Sequence, residues 1–296
     1  MAKISPFFSL SLISILLLAS CDSGNDTHRD LRNSLTFYAS FDNSFEADYA
    51  KGDPKLYTAA SWGRRLENEL LNTSGEYLQI HEGEGKYGDA LWIDSRYEPI
   101  LFYKGEENMP YKSENWNGTV SFWLRLEPSE DLHTGYSDPI QITASAWNDG
   151  AMFVDFTDVD PRIFRFAIFA DREVWDPGER EWDEVSVEER PMVDVEDLPF
   201  SRDKWTHIAF TFSNFNTGKA NGTVFSYLDG EKIGELTGRK QTFTWNPSEV
   251  FIWLGYNYRG YFDELSIFNR TLSDEEIENI YRLENGIREI VGNTEL

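Results

Sequence analysis

The sequence predicts an all-β fold in which two antiparallel sheets pack face to face as a jelly-roll β-sandwich. From residue 35 onward apolar residues alternate with polar ones, as in "LTFYASF", "TVSFWLRL" and "THIAFTF". This period of two places one face of each strand against a core. Only one late segment has the pattern of a helix, and many strands with a single helix favour a sandwich over alternating strands and helices.

The inward-facing residues of the three clearest strands follow from the alternation. They are Leu35, Phe37, Ala39, Phe41, Val120, Phe122, Leu124, Leu126, Ile208, Phe210 and Phe212. The Asp229-Gly230 pair predicts a hairpin over residues 223–236, because a type I′ turn needs two positive φ angles and Asp-Gly adopts them at low cost.

The predicted helix lies in "LSDEEIENIYRLENG" near the end of the chain. Ser273 can cap its N-terminus, Glu276 is the capping-box partner three residues later, and Gly286 suits a left-handed residue after the helix. We expect this helix to pack by its apolar stripe and to cover one rim of the sandwich.

Two stretches interrupt the strand pattern, residues 94–118 and the acidic segment 171–204. We expect both to be long loops, with an extra hairpin around residues 182–187. Long loops on a compact domain are where function concentrates.

The N-terminus has the pattern of a bacterial lipoprotein signal. Lys3 precedes the apolar run "PFFSLSLISILLLAS", which is short for a membrane span and fits a signal peptide over residues 1–20. The following "LASC" resembles a lipobox and predicts that Cys21 is lipidated and becomes the mature N-terminus. The alternative is an ordinary signal peptide that merely contains a cysteine. Cys21 is the only cysteine, so its modification leaves no disulfide.

These features divide the chain into four parts. After the signal peptide we expect a flexible tether over residues 21–34, the sandwich over residues 35–285, and a tail over residues 286–296.

The charge of the chain restricts its partners. A formal net charge of -25 and the lack of a basic stripe exclude nucleic acid as a partner. The same carboxylates disfavour sulfated or uronate polymers unless calcium bridges them, so neutral glycans fit better.

Six ordered segments resemble a known family, the bacterial concanavalin A-like lectin/glucanase family with laminin-G-like domains. They are "FYASFDNS", "GKYGDALWI", "GTVSFWLRL", "DKWTHIAFTF", "FSYLDGEKIG" and "GYFDELSIFNRTLSDEEIENIY". The resemblance implies a two-sheet jelly roll. It implies less about activity, because this fold hosts lectins, hydrolases, lyases and adhesion modules.

The resemblance also suggests a calcium position. In the family the aspartates of the first and last of these segments often lie together at a bound calcium ion, and here they are Asp42 and Asp263. Calcium takes several oxygen ligands, which acidic loops can supply. The alternative is that both carboxylates only accept hydrogen bonds from nearby backbone amides.

No catalytic constellation is evident. The neighbours Asp263 and Glu264 should point to opposite faces of a strand and cannot act on one bond. Glu181 and Asp183 have the spacing of a hydrolase pair, but the glutamate that follows in the related glucanases is missing. "QIH" at residues 79–81 resembles one element of alginate lyases, whose companion motifs are absent.

Aromatic residues in loop-like contexts are the candidate ligand contacts, since sugars stack their C–H faces on exposed rings. With their polar neighbours, the candidates are Trp147, Asn148, Asp149, Trp182, Tyr256, Asn257, Tyr258 and Arg259. We expect them to form one sugar-binding rim.

The leading hypothesis is therefore a lipid-anchored, non-catalytic envelope protein with a carbohydrate-binding domain that calcium can stabilise. One alternative is a structural or adhesion lipoprotein that binds proteins or the cell wall. Another is a divergent glycoside hydrolase or polysaccharide lyase.

Overall fold

Two antiparallel sheets pack face to face in the computed structural model, which describes residues 23–71 and 75–292. The strands within these ranges are β1 Leu35–Ala39, β2 Tyr49–Ala50, β3 Leu56–Ala59, β4 Glu69–Leu70, β5 Leu78–His81, β6 Ala90–Asp94, β7 Ile100–Lys104, β8 Trp116–Arg125, β9 Ser137–Ala146, β10 Asp149–Phe156, β11 Phe164–Phe169, β12 Met192–Val195, β13 Thr206–Phe215, β14 Gly222–Leu228, β15 Glu231–Arg239, β16 Phe251–Tyr256 and β17 Arg259–Phe268. The predicted all-β sandwich is confirmed.

The two sheets interleave strands from the whole chain. The first sheet has the order β15-β14-β13-β8-β17-β1-β2, and β6 pairs with β17 and carries β5. The second sheet has the order β12-β11-β10-β9-β16-β7-β3-β4. Single strands and short runs of consecutive strands alternate between the sheets, and one continuous core lies between the inner faces of the two sheets.

The predicted inward residues fill that core with one exception. Phe122, Phe210 and Ile208 are fully buried between the sheets. Leu35 is also buried, but it packs with the helices on the outer face of the first sheet. A register shift between Leu35 and Phe37 in the β1–β17 pair breaks the alternation there, because one extra residue turns the strand over.

The helices within the described residues are α1 Ser23–Ser34, α2 Pro128–Asp131, α3 Arg172–Trp175, α4 Asp274–Tyr281 and α5 Arg288–Val291. The predicted capping box at α4 is confirmed, since the Ser273 side chain accepts a hydrogen bond from the Glu276 N–H and the Glu276 side chain accepts one from the Ser273 N–H. Short 3₁₀ turns occur at residues 62–64, 182–184 and 247–249.

Helices α1, α4 and α5 cover the outer face of the first sheet. Leu31, Ile277, Ile287 and Ile290 form one apolar cluster there with Tyr227 of β14. The structure therefore differs from the expected tether over residues 21–34 and tail over residues 286–296, because both segments supply apolar side chains that this sheet face buries.

The hairpin and loop predictions have mixed outcomes. Strands β14 and β15 form the predicted hairpin, with Asp229 and Gly230 both at positive φ. Residues 94–118 contain strand β7, and the acidic segment contains β12. The expected hairpin at residues 182–187 is wrong, since a 3₁₀ turn with its own capping box occupies that position.

The signal peptide and Cys21 lie outside the described residues. Among the residues that the structure does describe, no helix is both long and apolar enough to span a membrane.

Candidate functional site

A cleft of about 610 Å³ lies over the outer face of the second sheet. The strand register places a row of side chains across its floor, from Met192 on β12 through Phe153 on β10 and Gln141 on β9 to Trp253 on β16. These side chains point away from the core because their strand neighbours face it. The floor is therefore part of the outer face of the second sheet.

Half of the residues that line the cleft are aromatic. One aromatic group lies over β16, where Trp62 stacks on Trp253 with ring centroids 5.2 Å apart and Tyr256 meets Trp253 edge to face at 5.1 Å. Tyr97 then contacts Tyr256 at 5.0 Å. Ring faces and edges of this kind are the surfaces on which the C–H groups of sugars stack.

A second aromatic group lies at the β9–β10 turn. Trp147 meets Trp182 edge to face, with ring centroids 5.3 Å apart. Trp182 comes from the acidic segment and is held by the Arg190 guanidinium, 4.2 Å from its ring centre. The acidic segment is thus packed against the cleft as one of its walls.

Several of these rings are open to solvent. Tyr97, Tyr136 and Trp147 are between 42% and 46% exposed, and all three line the cleft. Exposed rings collected at one concavity mark a binding surface more strongly than scattered ones do.

Two acidic side chains and one basic side chain lie on the floor. Arg165 on β11 donates to both oxygens of Asp155 on β10, with Nε 2.8 Å from Oδ1. Its guanidinium also lies 5.1 Å from the ring centre of Tyr136. Asp138 on β9 lines the same cleft. Burial raises the pKa of the Asp138 carboxyl well above its usual range, and the Asp155 carboxylate raises it further.

The structure brings three of the predicted ligand residues together. Trp147, Trp182 and Tyr256 all line the cleft. Asn148 and Asp149 are half-buried beside the cleft, and each accepts a hydrogen bond from the acidic segment. The Asn148 carbonyl accepts from Trp175 Nε1 at 2.8 Å, and Asp149 Oδ1 accepts from the Arg172 N–H at 2.7 Å.

The other three predicted residues lie elsewhere, which corrects the expectation of one shared rim. Asn257 and Tyr258 are fully buried because the chain crosses there from β16 to β17, between the two sheets. Asn257 donates to the Thr134 and Tyr136 carbonyls, and so it fixes the loop that carries Tyr136. Arg259 pairs with Asp94 on the first sheet.

Sequence reasoning missed most of the cleft floor. Trp62, Tyr97, Tyr136, Asp138, Phe153, Asp155, Arg165 and Trp253 line the cleft and were not predicted as site residues. The polar residue in "AMFVDF" was a signal for Asp155, because it interrupts an otherwise apolar strand. Asp138 gave no such signal, since a register shift between β9 and β10 changes which face it occupies.

Asp42 and Asp263 accept hydrogen bonds from backbone N–H groups of the loop before β6. The Asp263 carboxylate accepts from the Lys86 N–H at 2.7 Å, and the Asp42 carboxylate accepts from the Asp89 N–H at 2.8 Å. Asp42 also pairs with Arg288. Within residues 23–71 and 75–292 no three His, Cys, Asp or Glu side chains are grouped so as to hold a metal ion. A cation between these two aspartates would have to replace hydrogen-bond donors that they already contact.

Sequence and structure comparisons are consistent with this architecture. The sequence model of the concanavalin A-like lectin/glucanases superfamily, laminin-G type, matches residues 106–278, more than half of the chain. The chain belongs to this superfamily. A search of curated protein sequences gives no significant match.

Solved structures of the superfamily fold resemble the protein at low identity. Domain 4 of AbnA, an extracellular arabinanase from Geobacillus stearothermophilus solved with arabinotriose, is 20% identical at a TM-score of 0.50, covering 83% of this chain and 97% of that domain. The botulinum neurotoxin serotype D binding domain is 11% identical at a TM-score of 0.52, covering 85% of this chain and 52% of that one. The binding domain of Paraclostridial Mosquitocidal Protein 1 is 17% identical at a TM-score of 0.50, covering 85% and 52%. The protein spans about half the length of the two toxin domains. At these identities the likeness shows the fold alone.

Proposed function

We propose that the protein binds carbohydrate in the cleft over the second sheet and does not cleave it. The observation that carries the proposal is the cleft itself, a concave surface on the outer face of the second sheet with aromatic side chains for half of its lining residues. Its volume is in the range of pockets that enclose small ligands, and its few polar groups are gathered on the floor. The similarity to an arabinanase domain solved with arabinotriose supports this choice of ligand class.

The test is a glycan array with the mature chain lacking its lipid, followed by titration of the best ligand. We expect Trp147→Ala and Trp182→Ala each to weaken binding about tenfold, because each removes a stacking surface of the cleft. The matched control is Trp205→Ala, which removes a half-buried tryptophan that packs on Tyr261 and Arg125 of the first sheet.

The outcomes separate the proposal from the adhesion alternative. Equal losses in the cleft variants and in the control would contradict binding in the cleft. Capture of an envelope protein, with no glycan bound and no effect of Trp147→Ala, would favour a structural or adhesion lipoprotein.

A divergent glycoside hydrolase is the second candidate, because Asp138 and Asp155 line the same cleft. A buried carboxyl with a raised pKa is suited to be a general acid. Against this, both oxygens of Asp155 accept hydrogen bonds from Arg165, which leaves it poorly placed as a base or nucleophile. Release of reducing ends from a bound glycan, lost in Asp138→Asn, would establish the hydrolase. No release would support simple binding.

We further propose that lipid on Cys21 anchors the protein at the bacterial envelope. Helix α1 begins at Ser23 and packs on the outer face of the first sheet, whereas the cleft opens on the second sheet. The first described residues therefore lie on the sheet opposite to the cleft, which supports an anchor that leaves the cleft free for ligand. Incorporation of a labelled fatty acid in bacteria, lost in Cys21→Ser, tests the anchor; equal labelling of the variant would contradict it.

Calcium at Asp42 and Asp263 stays a prediction. If the ion binds, millimolar calcium should raise the melting temperature of the wild type, and Asp263→Asn should abolish that rise. The comparison is between the two calcium-dependent shifts, because Asp263→Asn also removes a hydrogen bond to the Lys86 N–H. No shift in the wild type would contradict calcium binding.

A further inference from the structure

The Asp138 side chain is an acid on the cleft floor with little exposed surface. It is 7% exposed, lies opposite Tyr256 in the β9–β16 register, and lines the cleft. Among the described residues none donates a hydrogen bond to its carboxyl group, whereas neighbouring Asp155 is held by Arg165. The carboxyl oxygens are not among the fully buried atoms that lack a hydrogen bond, so they are accessible from the cleft that Asp138 lines. The open side of Asp138 faces the cleft, so a bound ligand is the available partner.

The charges around Asp138 restrict that ligand. Arg165 is the only basic residue among the described residues that line the cleft, and its guanidinium already contacts Asp155 and the Tyr136 ring. Glu98 adds a third acidic group at the rim. A carboxylate or sulfate on a ligand would find no free cation here, and the Asp155 and Glu98 carboxylates would repel it.

We propose that Asp138 is the polar residue that selects the ligand of the cleft, and that this ligand is an uncharged, hydroxyl-rich oligosaccharide. The inference rests on the proposed function and adds to it one residue that contacts the ligand and the absence of charge on that ligand. Asp138 binds sugar hydroxyls directly on the floor, while the aromatic side chains of the cleft stack on the sugar rings.

The state of Asp138 agrees with an uncharged ligand. Burial and Asp155 raise the pKa of Asp138, which favours the protonated carboxyl. A carboxylic acid both donates and accepts hydrogen bonds, and so does a sugar hydroxyl. The protonated carboxyl group and a sugar hydroxyl can therefore hydrogen-bond to each other while both are uncharged.

The experiment compares oligosaccharides that differ only in a CH₂OH group or a carboxylate at C6, such as galactose and galacturonate oligomers, together with glucose and glucuronate oligomers. The wild type should bind the neutral member of a pair at least about tenfold more tightly. Asp138→Ala should weaken neutral binding about tenfold or more. Asp138→Asn should retain most of it, because an amide also has a donor and an acceptor.

The control is Asp194→Ala, which removes an exposed carboxylate opposite Arg165 on β12, outside the cleft lining, and should leave binding unchanged. Asp138→Ala should melt no lower than the wild type, since no described residue donates a hydrogen bond to the carboxyl group that it removes. Neutral binding that survives in Asp138→Ala, or tighter binding of the uronates, would overturn the inference while leaving carbohydrate binding intact. Failure of every neutral and acidic oligosaccharide to bind would contradict the proposed function as well.

Discussion

A left-handed residue in β17 buries two adjacent carboxyl groups, Asp263 and Glu264. Glu264 has φ of +55°, and the β17–β8 register shifts between Asp263 and Ser266. Asp263 accepts the Lys86 N–H on the outer face of the sheet, where its strand partner Trp123 stacks on Tyr281 of α4. The expectation that the two carboxylates point to opposite faces is wrong, because the left-handed residue turns Glu264 to the outer face as well. There it accepts from the Tyr38 hydroxyl and the Ile287 N–H, and it is buried because α5 and its flanking residues cover it. The pair is structural, and it connects the last strand to the end of the chain.

The burial of Glu264 makes folding stability depend on pH. Burial raises the pKa of Glu264 from 4.5 to about 7. The folded protein therefore holds this proton more tightly than the unfolded chain does, and Glu264 lowers stability as pH rises from about 4.5 through 7. We expect the melting temperature of Glu264→Gln, relative to that of the wild type, to increase by several degrees between pH 5 and pH 8.

The difference between the two proteins is the quantity to measure, because buried His207 acts in the opposite direction. Burial lowers the pKa of His207 to about 3, which lowers stability as pH falls below 6.5. His207 is present in both proteins and cancels in the comparison. A difference that stays constant from pH 5 to pH 8 would show that Glu264 is not the titrating group.

Helix α1 is part of the folded domain although most of its residues are polar. "DSGNDTHRD" has the composition of a linker, but Leu31 and Leu35 follow it and are almost fully buried against α5 and the first sheet. Composition alone could not predict this, because the sheet face that receives α1 is built from strands distant in sequence.

We therefore expect Leu31→Ala to lower the free energy of unfolding by about 2–4 kcal/mol, as for other buried leucines. The measurement is urea unfolding of the mature chain without its lipid. Asn33→Ala, an exposed position on the same helix, is the control and should change stability by less than about 0.5 kcal/mol. Equal stability of the wild type and Leu31→Ala would contradict the packing of α1 and favour a flexible tether over residues 21–34.

The second sheet shows why the cleft was harder to predict than the core. In β10, Met152, Val154 and Phe156 face the core, while Phe153 and Asp155 face outward and are buried as well. A strand buried on both sides loses the alternation that separates the two faces. The inward residues of β8 and β13 could therefore be predicted from their period, whereas Trp253 and Phe153 looked like further core residues.

At the scale of the whole molecule, the two outer sheet faces have different roles. Helices α1, α4 and α5 cover the first sheet and include both ends of the described chain, while the second sheet keeps an open aromatic cleft. Trp147, Trp182 and Tyr256 could be chosen from loop context, but their convergence depends on the acidic segment folding back over β10 and β11. That path is set by tertiary contacts such as Arg190 on Trp182, which no local pattern encodes.

The net charge of -25 also acts at this scale. Added salt should change the affinity for neutral oligosaccharides little, because their binding neutralises no charge. Titration of one neutral ligand at low and at high salt tests this expectation. A steep loss of affinity with salt would point to a cationic ligand instead.

The most direct test of carbohydrate binding in the cleft is hydroxyl-radical footprinting of the mature chain, without its lipid, in the presence and absence of its best glycan ligand. If the cleft binds the glycan, the ligand should protect Trp147, Trp182 and Tyr97 from oxidation and leave Trp92 and Trp205 on the first sheet unchanged. Protection confined to the first sheet would contradict it.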